Sequence, residues 1–135
     1  MESGNLNHLA VIAAALSTFV LGALWFSPIL FGKAWMVENN LTEEDLKKGS
    51  MAKILGLALI FALVMAYNLG FFLADPSVDF KMGALYGFLT GFGWVAMAIF
   101  TIGLFERKTW RYMLINAGYM IVSFTVMGMI LGAWK

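Results

Sequence analysis

The sequence predicts an all-α, polytopic membrane protein: a four-transmembrane-helix bundle with a short interfacial helix after the first span. Three observations predict it. Of the 135 residues, 61% are hydrophobic and 13% charged, with a mean hydropathy of +0.83. Soluble domains are nearer about 45–50% apolar and about 25% charged, and so short a chain buries only about 60–70% of its surface. A water-soluble globular enzyme is thereby excluded. Second, charges punctuate the chain into four uncharged stretches, 9–32, 54–74, 82–105 and 112–134, and a run of about 18 or more apolar residues is long enough to cross a bilayer core as a helix. Third, lipid offers no partner to backbone N–H and C=O groups, so the runs must be helical, and they are too continuous for barrel strands.

The spans are expected at about 6–27, 51–74, 82–105 and 111–134, with 28–50 as a cytoplasmic amphipathic loop, all within one membrane domain of residues 1–135. The first span is read as retained rather than cleaved. The segment Met1–Asn5 before it carries no lysine or arginine, so the positive region of a signal peptide is missing. After it, Ser27 is expected as an N-cap and Pro28 as the first residue of an interfacial helix, Pro28 to Val37, with a kinked continuation of the first helix as the rival reading. Thr42 with Asp45 resembles a capping box, Leu41 and Leu46 fit staple positions, and Gly49 ends the turn. Asp75-Pro76-Ser77 marks a tight turn, so the second and third helices are expected to be antiparallel neighbours. Glu106 to Thr109 forms the next hairpin.

Basic residues set an orientation. The first and third loops hold seven, against two (Lys81 and Lys135) on the other side. The positive-inside rule places those loops in the cytoplasm and both termini outside, in a bacterial inner membrane.

Helices in lipid associate by close backbone approach and interhelical hydrogen bonds. Gly83, Gly87 and Gly91 recur at a spacing of four, as do Gly128 and Gly132, and Ala10, Ala14, Thr18 and Gly22 in the first helix. These faces predict tight packing within the bundle or between copies, and a homo-oligomer is expected through the glycine faces of the third and fourth helices. Trp25, Trp35, Trp110 and Trp134 fall near span borders, whereas Trp94 lies mid-span and its indole N–H needs a partner, by an interhelical hydrogen bond or in a cavity wall.

All eight acids and nine bases lie outside the uncharged runs, which argues against an intramembrane proton relay. The neutral polar groups left as candidates for a cavity or for interhelical contacts are Asn68, Trp94, Thr101, Asn116, Tyr119, Ser123 and His8. Asn116, Tyr119 and Ser123 share one helical face, and structural glue weighs more than a substrate site there. His8 is expected to be interfacial and solvated. No cofactor or metal is expected: there is no cysteine, one histidine, and ten methionines scattered singly as gap-fillers. A net charge of +1 gives no nucleic-acid footprint. No catalytic residues emerge, because neither paired intramembrane carboxylates nor a nucleophile–histidine spacing is present, and Gly91-Phe92-Gly93 follows no strand.

The stretches Phe26-Ser27-Pro28-Ile29-Leu30-Phe31-Gly32-Lys33-Ala34-Trp35, Leu104-Phe105-Glu106-Arg107, Leu114-Ile115-Asn116-Ala117-Gly118-Tyr119 and Gly128-Met129-Ile130-Leu131-Gly132-Ala133-Trp134 are distinctive. Together they resemble the small bacterial membrane proteins grouped as domain of unknown function 1761. The resemblance covers nearly the whole chain and implies a four-helix integral membrane protein, with no activity attached. The lipid bilayer is the expected partner and the solute is unknown. The functional expectation is an oligomeric channel- or transporter-like protein for a neutral or weakly polar solute. A non-catalytic scaffold, partner or stress-response subunit is the alternative, and a lipid-acting enzyme ranks last.

Overall fold

Side-chain caps set where the long helices begin, and the residues between them decide which helices touch. The computed structural model describes residues 6–135 and is all-helical, with no strand among them. In chain order the elements are α1 (His8–Trp25), α2 (Gly32–Glu38), α3 (Glu43–Leu46), α4 (Met51–Phe72), α5 (Phe80–Thr90), a π-helical segment (Gly91–Ala96), α6 (Met97–Phe105) and α7 (Trp110–Ala133). Asn7, Ser50, Asp79 and Thr109 each accept backbone N–H groups of the first turn and so open α1, α4, α5 and α7. Thr42 and Asp45 form a reciprocal capping box over α3. Four helices, His8–Trp25, Met51–Phe72, Phe80–Phe105 and Trp110–Ala133, are long and apolar enough to cross a membrane. The segment Met1–Asn5, on which the signal-peptide reading rests, lies outside the described residues.

The link after α1 differs from the expectation. Ser27 does not cap a helix: its hydroxyl donates to the Leu24 carbonyl at 2.7 Å. The residues from Pro28 to Phe31 form turns, closed by Gly32 N–H to Ser27 C=O at 2.9 Å and Phe31 N–H to Trp25 C=O at 3.0 Å. The short helix therefore starts at Gly32, separate from α1. The reason is steric. A side chain at Gly32 would collide with the carbonyls of Phe26 and Ser27, so the chain turns back most tightly where only glycine fits.

The bundle is arranged around α7, along which α1, α5, the π segment and α6 all pack. Gly83, Gly87 and Gly91 lie directly on Gly128, Phe124 and Ile121 of α7, respectively, and Gly132 lies on the Asp79 carbonyl. A Cβ at Gly83 would overlap the Gly128 carbonyl, and one at Gly128 would overlap the Gly83 carbonyl. The two glycine faces thus meet each other inside one chain. They are not free to join two copies, which corrects the oligomer interface expected from them.

The second correction concerns α4. It is joined to α5 by only the short Leu73–Asp79 link, yet it packs on α1 rather than on α5. Small residues decide this. Ala62, Ala66 and Gly70 recur at a spacing of four on α4 and are buried with Ala10, Ala14 and Ala15 of α1. The side of α4 that faces the third span carries Val64, Asn68 and Phe72 instead, too bulky for close backbone approach.

The π-helical segment reconciles two halves of the third span. A regular helix advances about 100° per residue. On an unbroken helix Ala96 and Gly103 would stand about 220° and about 200° round from Gly83, away from α7. One extra residue in the π turn subtracts about 100° and brings them to about 120° and about 100°. Both are buried, and Gly103 lies on the Met113 side chain. The same turn moves Trp94. Its unbroken position, about 20° from Gly83, would aim the indole at α7; the inserted residue turns it out, and it is 72% exposed.

Candidate functional site

Because α4 leans on α1 while the third span leans on α7, the two leave a groove between them. Its volume is about 620 Å³, within the usual range for small-molecule sites. Val64, Asn68 and Phe72 form one wall, Tyr86, Thr90 and Trp94 the other, and Phe124 of α7 the floor. Among the described residues, no charged side chain lines it. Along α4 it runs from Val64 to Leu73, about 13 Å at 1.5 Å per residue. That is close to the depth of one leaflet, about 15 Å of hydrocarbon. The Leu73–Asp79 link bridges it at one end, and it opens sideways between the helices.

Asn68 and Trp94, two of the sequence candidates, share this groove. The Asn68 amide N–H donates to the Val64 carbonyl at 2.8 Å. The Thr90 hydroxyl donates to the Tyr86 carbonyl at 2.8 Å. Trp94 makes no interhelical hydrogen bond among the described residues, so of its two expected roles it holds that of a wall residue. Thr90 was not singled out from the sequence, although Tyr86, Thr90 and Trp94 lie four apart and form one line of polar-tipped side chains.

The other candidates lie elsewhere. Thr101 is exposed on α6 and donates to its own helix, at the Met97 carbonyl, 2.8 Å away. The His8 Nδ1 lies 3.0 Å from the Tyr67 hydroxyl and ties the start of α1 to α4. Asn116, Tyr119 and Ser123 do share a face of α7, turned toward α1, but they form no open site. The Tyr119 hydroxyl donates to the Thr18 carbonyl at 2.8 Å and sits 3.2 Å from where a Gly22 Cβ would stand. Ser123 is fully buried and its hydroxyl has no partner among the described residues. Asn116 is half-buried on the same side. Removing the hydroxyl with Tyr119→Phe is expected to lower stability by about 1 kcal/mol. A thermal melt of the detergent-solubilised protein checks this, and an unchanged melt would show the bond to be idle.

Two clusters brace the ends. At the end rich in lysine and arginine, the Trp25 indole N–H donates to the Ile115 carbonyl at 3.0 Å, and its ring packs over Gly118. Phe26 meets both Trp35 and Tyr119 at ring-centroid distances of 5.5 and 5.1 Å. Thr109, the cap of α7, donates to the Glu38 carboxylate at the end of α2. At the opposite end the Lys135 ammonium donates to the carbonyls of Leu73 and Asp75, which neutralises the negative end of α4. The Ser77 backbone N–H, 2.8 Å from Asp75 Oδ1, holds that carboxyl below the usual carboxylate range, with the Ser77 hydroxyl and the Lys135 charge adding to it.

Among known proteins, a family model described as "Protein of unknown function (DUF1761)" matches residues 9–132. No curated protein and no solved structure matches the chain.

Proposed function

The chain belongs to the DUF1761 family of proteins of unknown function, and from its geometry we propose that it is a non-catalytic, transporter-like membrane protein that takes up a neutral or weakly polar solute from the bilayer. The observation that carries this reading is the uncharged, laterally open groove with its line of polar tips at Asn68, Tyr86, Thr90 and Trp94. The interior of the bundle supports it from the other side. Ala10, Ala14, Ala15 and Ala66 are fully buried between α1 and α4, which leaves no axial path there for a solute within one chain. A path across the bilayer would take more than one copy. With the glycine faces occupied, copies would meet on the lipid-facing sides of α4 or the third span. The same reading keeps the protein in a bacterial inner membrane, with the basic loops in the cytoplasm.

Native mass spectrometry of protein released from its own membranes tests the proposal. The expected result is a neutral, non-protein adduct at near-stoichiometric occupancy, lost in Leu89→Trp, which fills the groove from an exposed position. Release of bare protein, or an adduct indifferent to Leu89→Trp, would favour the scaffold or partner role instead.

A further inference from the structure

We infer that the turn between α6 and α7 docks an anionic phospholipid of the surrounding leaflet, with Arg107, Lys108 and Arg111 around its phosphate and Phe105, Trp110 and Leu114 along its chains. The inference is independent of the groove and of the function proposed for it.

Three observations converge on this turn. The first is backbone conformation. Arg107 has a φ of 60°, in the left-handed region, in a turn closed by the Lys108 N–H, which donates to the Gly103 carbonyl at 2.9 Å. A Cβ is strained in that region, and glycine and asparagine tolerate it best. The other left-handed residues among those described, Asn40 and Gly49, obey that rule. The third such turn carries an arginine, whose side chain the turn itself does not require.

The second observation is charge. Arg111 lies in the first turn of α7, which holds no acid, and Lys108 stands just before the Thr109 cap. Cations are disfavoured at that positive end of a helix dipole. Neither residue pairs with a carboxylate among the described residues, nor does Arg107; the one ion pair there joins Lys48 to Asp45. The Lys108 ammonium lies over the Tyr112 ring instead, 5.2 Å from its centroid. Two carboxyls belong to this corner: Glu106 in the turn, and Glu38, which accepts from the Thr109 hydroxyl. They leave one positive charge uncompensated, the complement of one phosphodiester.

The third observation is the apolar border. Phe105, Trp110 and Leu114 are 85%, 61% and 58% exposed, at the adjoining ends of the third and fourth spans. The Trp110 ring is held against Phe100 at a centroid distance of 6.0 Å. Bases bordered by exposed apolar side chains at a span end suit a molecule with an anionic head and apolar chains. A soluble anion would leave the apolar border unused, and a zwitterionic lipid would leave the charge unmet.

Photo-labelling of the whole protein in phosphatidylcholine nanodiscs tests this. Two probes carry the same diazirine-bearing chain, one on phosphatidylglycerol and one on phosphatidylcholine, at equal mole fraction. The phosphatidylglycerol probe is expected to label residues 100–114 at least about fivefold more, since one basic residue near the membrane surface contributes about that factor. Arg111→Gln, at an exposed position, should cut the preference about fivefold. Lys47→Gln combined with Lys48→Gln removes more charge from the same end of the molecule and should leave the preference unchanged. Arg107→Gly separates recognition from folding. Its lipid preference should fall about fivefold, while its melting temperature in neutral detergent rises, because glycine relieves the left-handed position. Equal labelling by the two probes would overturn the docking site, as would a preference lost equally in Arg111→Gln and in the Lys47 and Lys48 double variant. A lower melt for Arg107→Gly with the lipid preference intact would overturn the assignment of that arginine to the phosphate.

Discussion

Gly128→Ala is expected to cost about 3 kcal/mol and to remove much of the folded protein from a detergent melt. The added methyl has no room: it would overlap the Gly83 carbonyl oxygen and press within 3.1 Å of the Gly87 Cα. Both obstacles are backbone, so no side-chain rotation relieves the clash, and α5 must move away from α7 along the contact that holds the third span in place. Gly83→Ala should cost a similar amount, because the same two peptide groups meet there from the other side. The pair should be far from additive, since one separation of the helices accommodates both methyls. Gly56→Ala provides the contrast. Nothing lies within 4 Å of a Cβ there, and the gain in helix propensity should raise stability by about 0.5–1 kcal/mol. A melting series in which Gly128→Ala and Gly56→Ala behave alike would show that the close approach does not hold this bundle together.

The next largest effect is expected at Gly32. Gly32→Ala would drive a methyl into the Phe26 carbonyl oxygen and within 2.8 Å of the Ser27 carbonyl carbon, opening the turn that the Gly32 N–H closes onto Ser27. A loss of about 2–3 kcal/mol follows from overpacking against backbone. The damage should stay local to the basic end, because α2 touches the bundle mainly through α7. Limited proteolysis is the sharper readout: cleavage between Pro28 and Ser50 should accelerate, while the long helices stay protected. Unchanged cleavage with an unchanged melt would mean that the turn relaxes at no cost.

The long elements were legible because their signals are local. Charge-free runs marked the four long apolar helices, and Thr42 and the Asp75 turn announced themselves by side-chain chemistry. What stayed hidden depends on comparing faces of different helices. A short link suggests neighbours, yet α4 chose α1, since its small residues, Ala62, Ala66 and Gly70, lie on the side away from α5. That series has the same spacing in the sequence as the glycines, but alanine is common in apolar runs and by itself marks no contact face. The π turn was hidden for a different reason. Gly83, Gly87 and Gly91 keep a spacing of four, and Ala96 breaks it with a step of five; the break becomes a signal only once Ala96 is known to face α7. Of the candidate site, Asn68 and Trp94 were legible as isolated polar groups. Their meeting across a groove followed from the misjudged neighbour relation between α4 and α5.

The sideways opening of that groove has a kinetic corollary. On the proposed function, a molecule bound there would arrive by diffusion in two dimensions, past lipids that compete for the same space. Occupancy is then governed by mole fraction among the surrounding lipids, and diluting the sample with buffer should leave it unaltered, whereas diluting the membrane with added phospholipid should empty the slot.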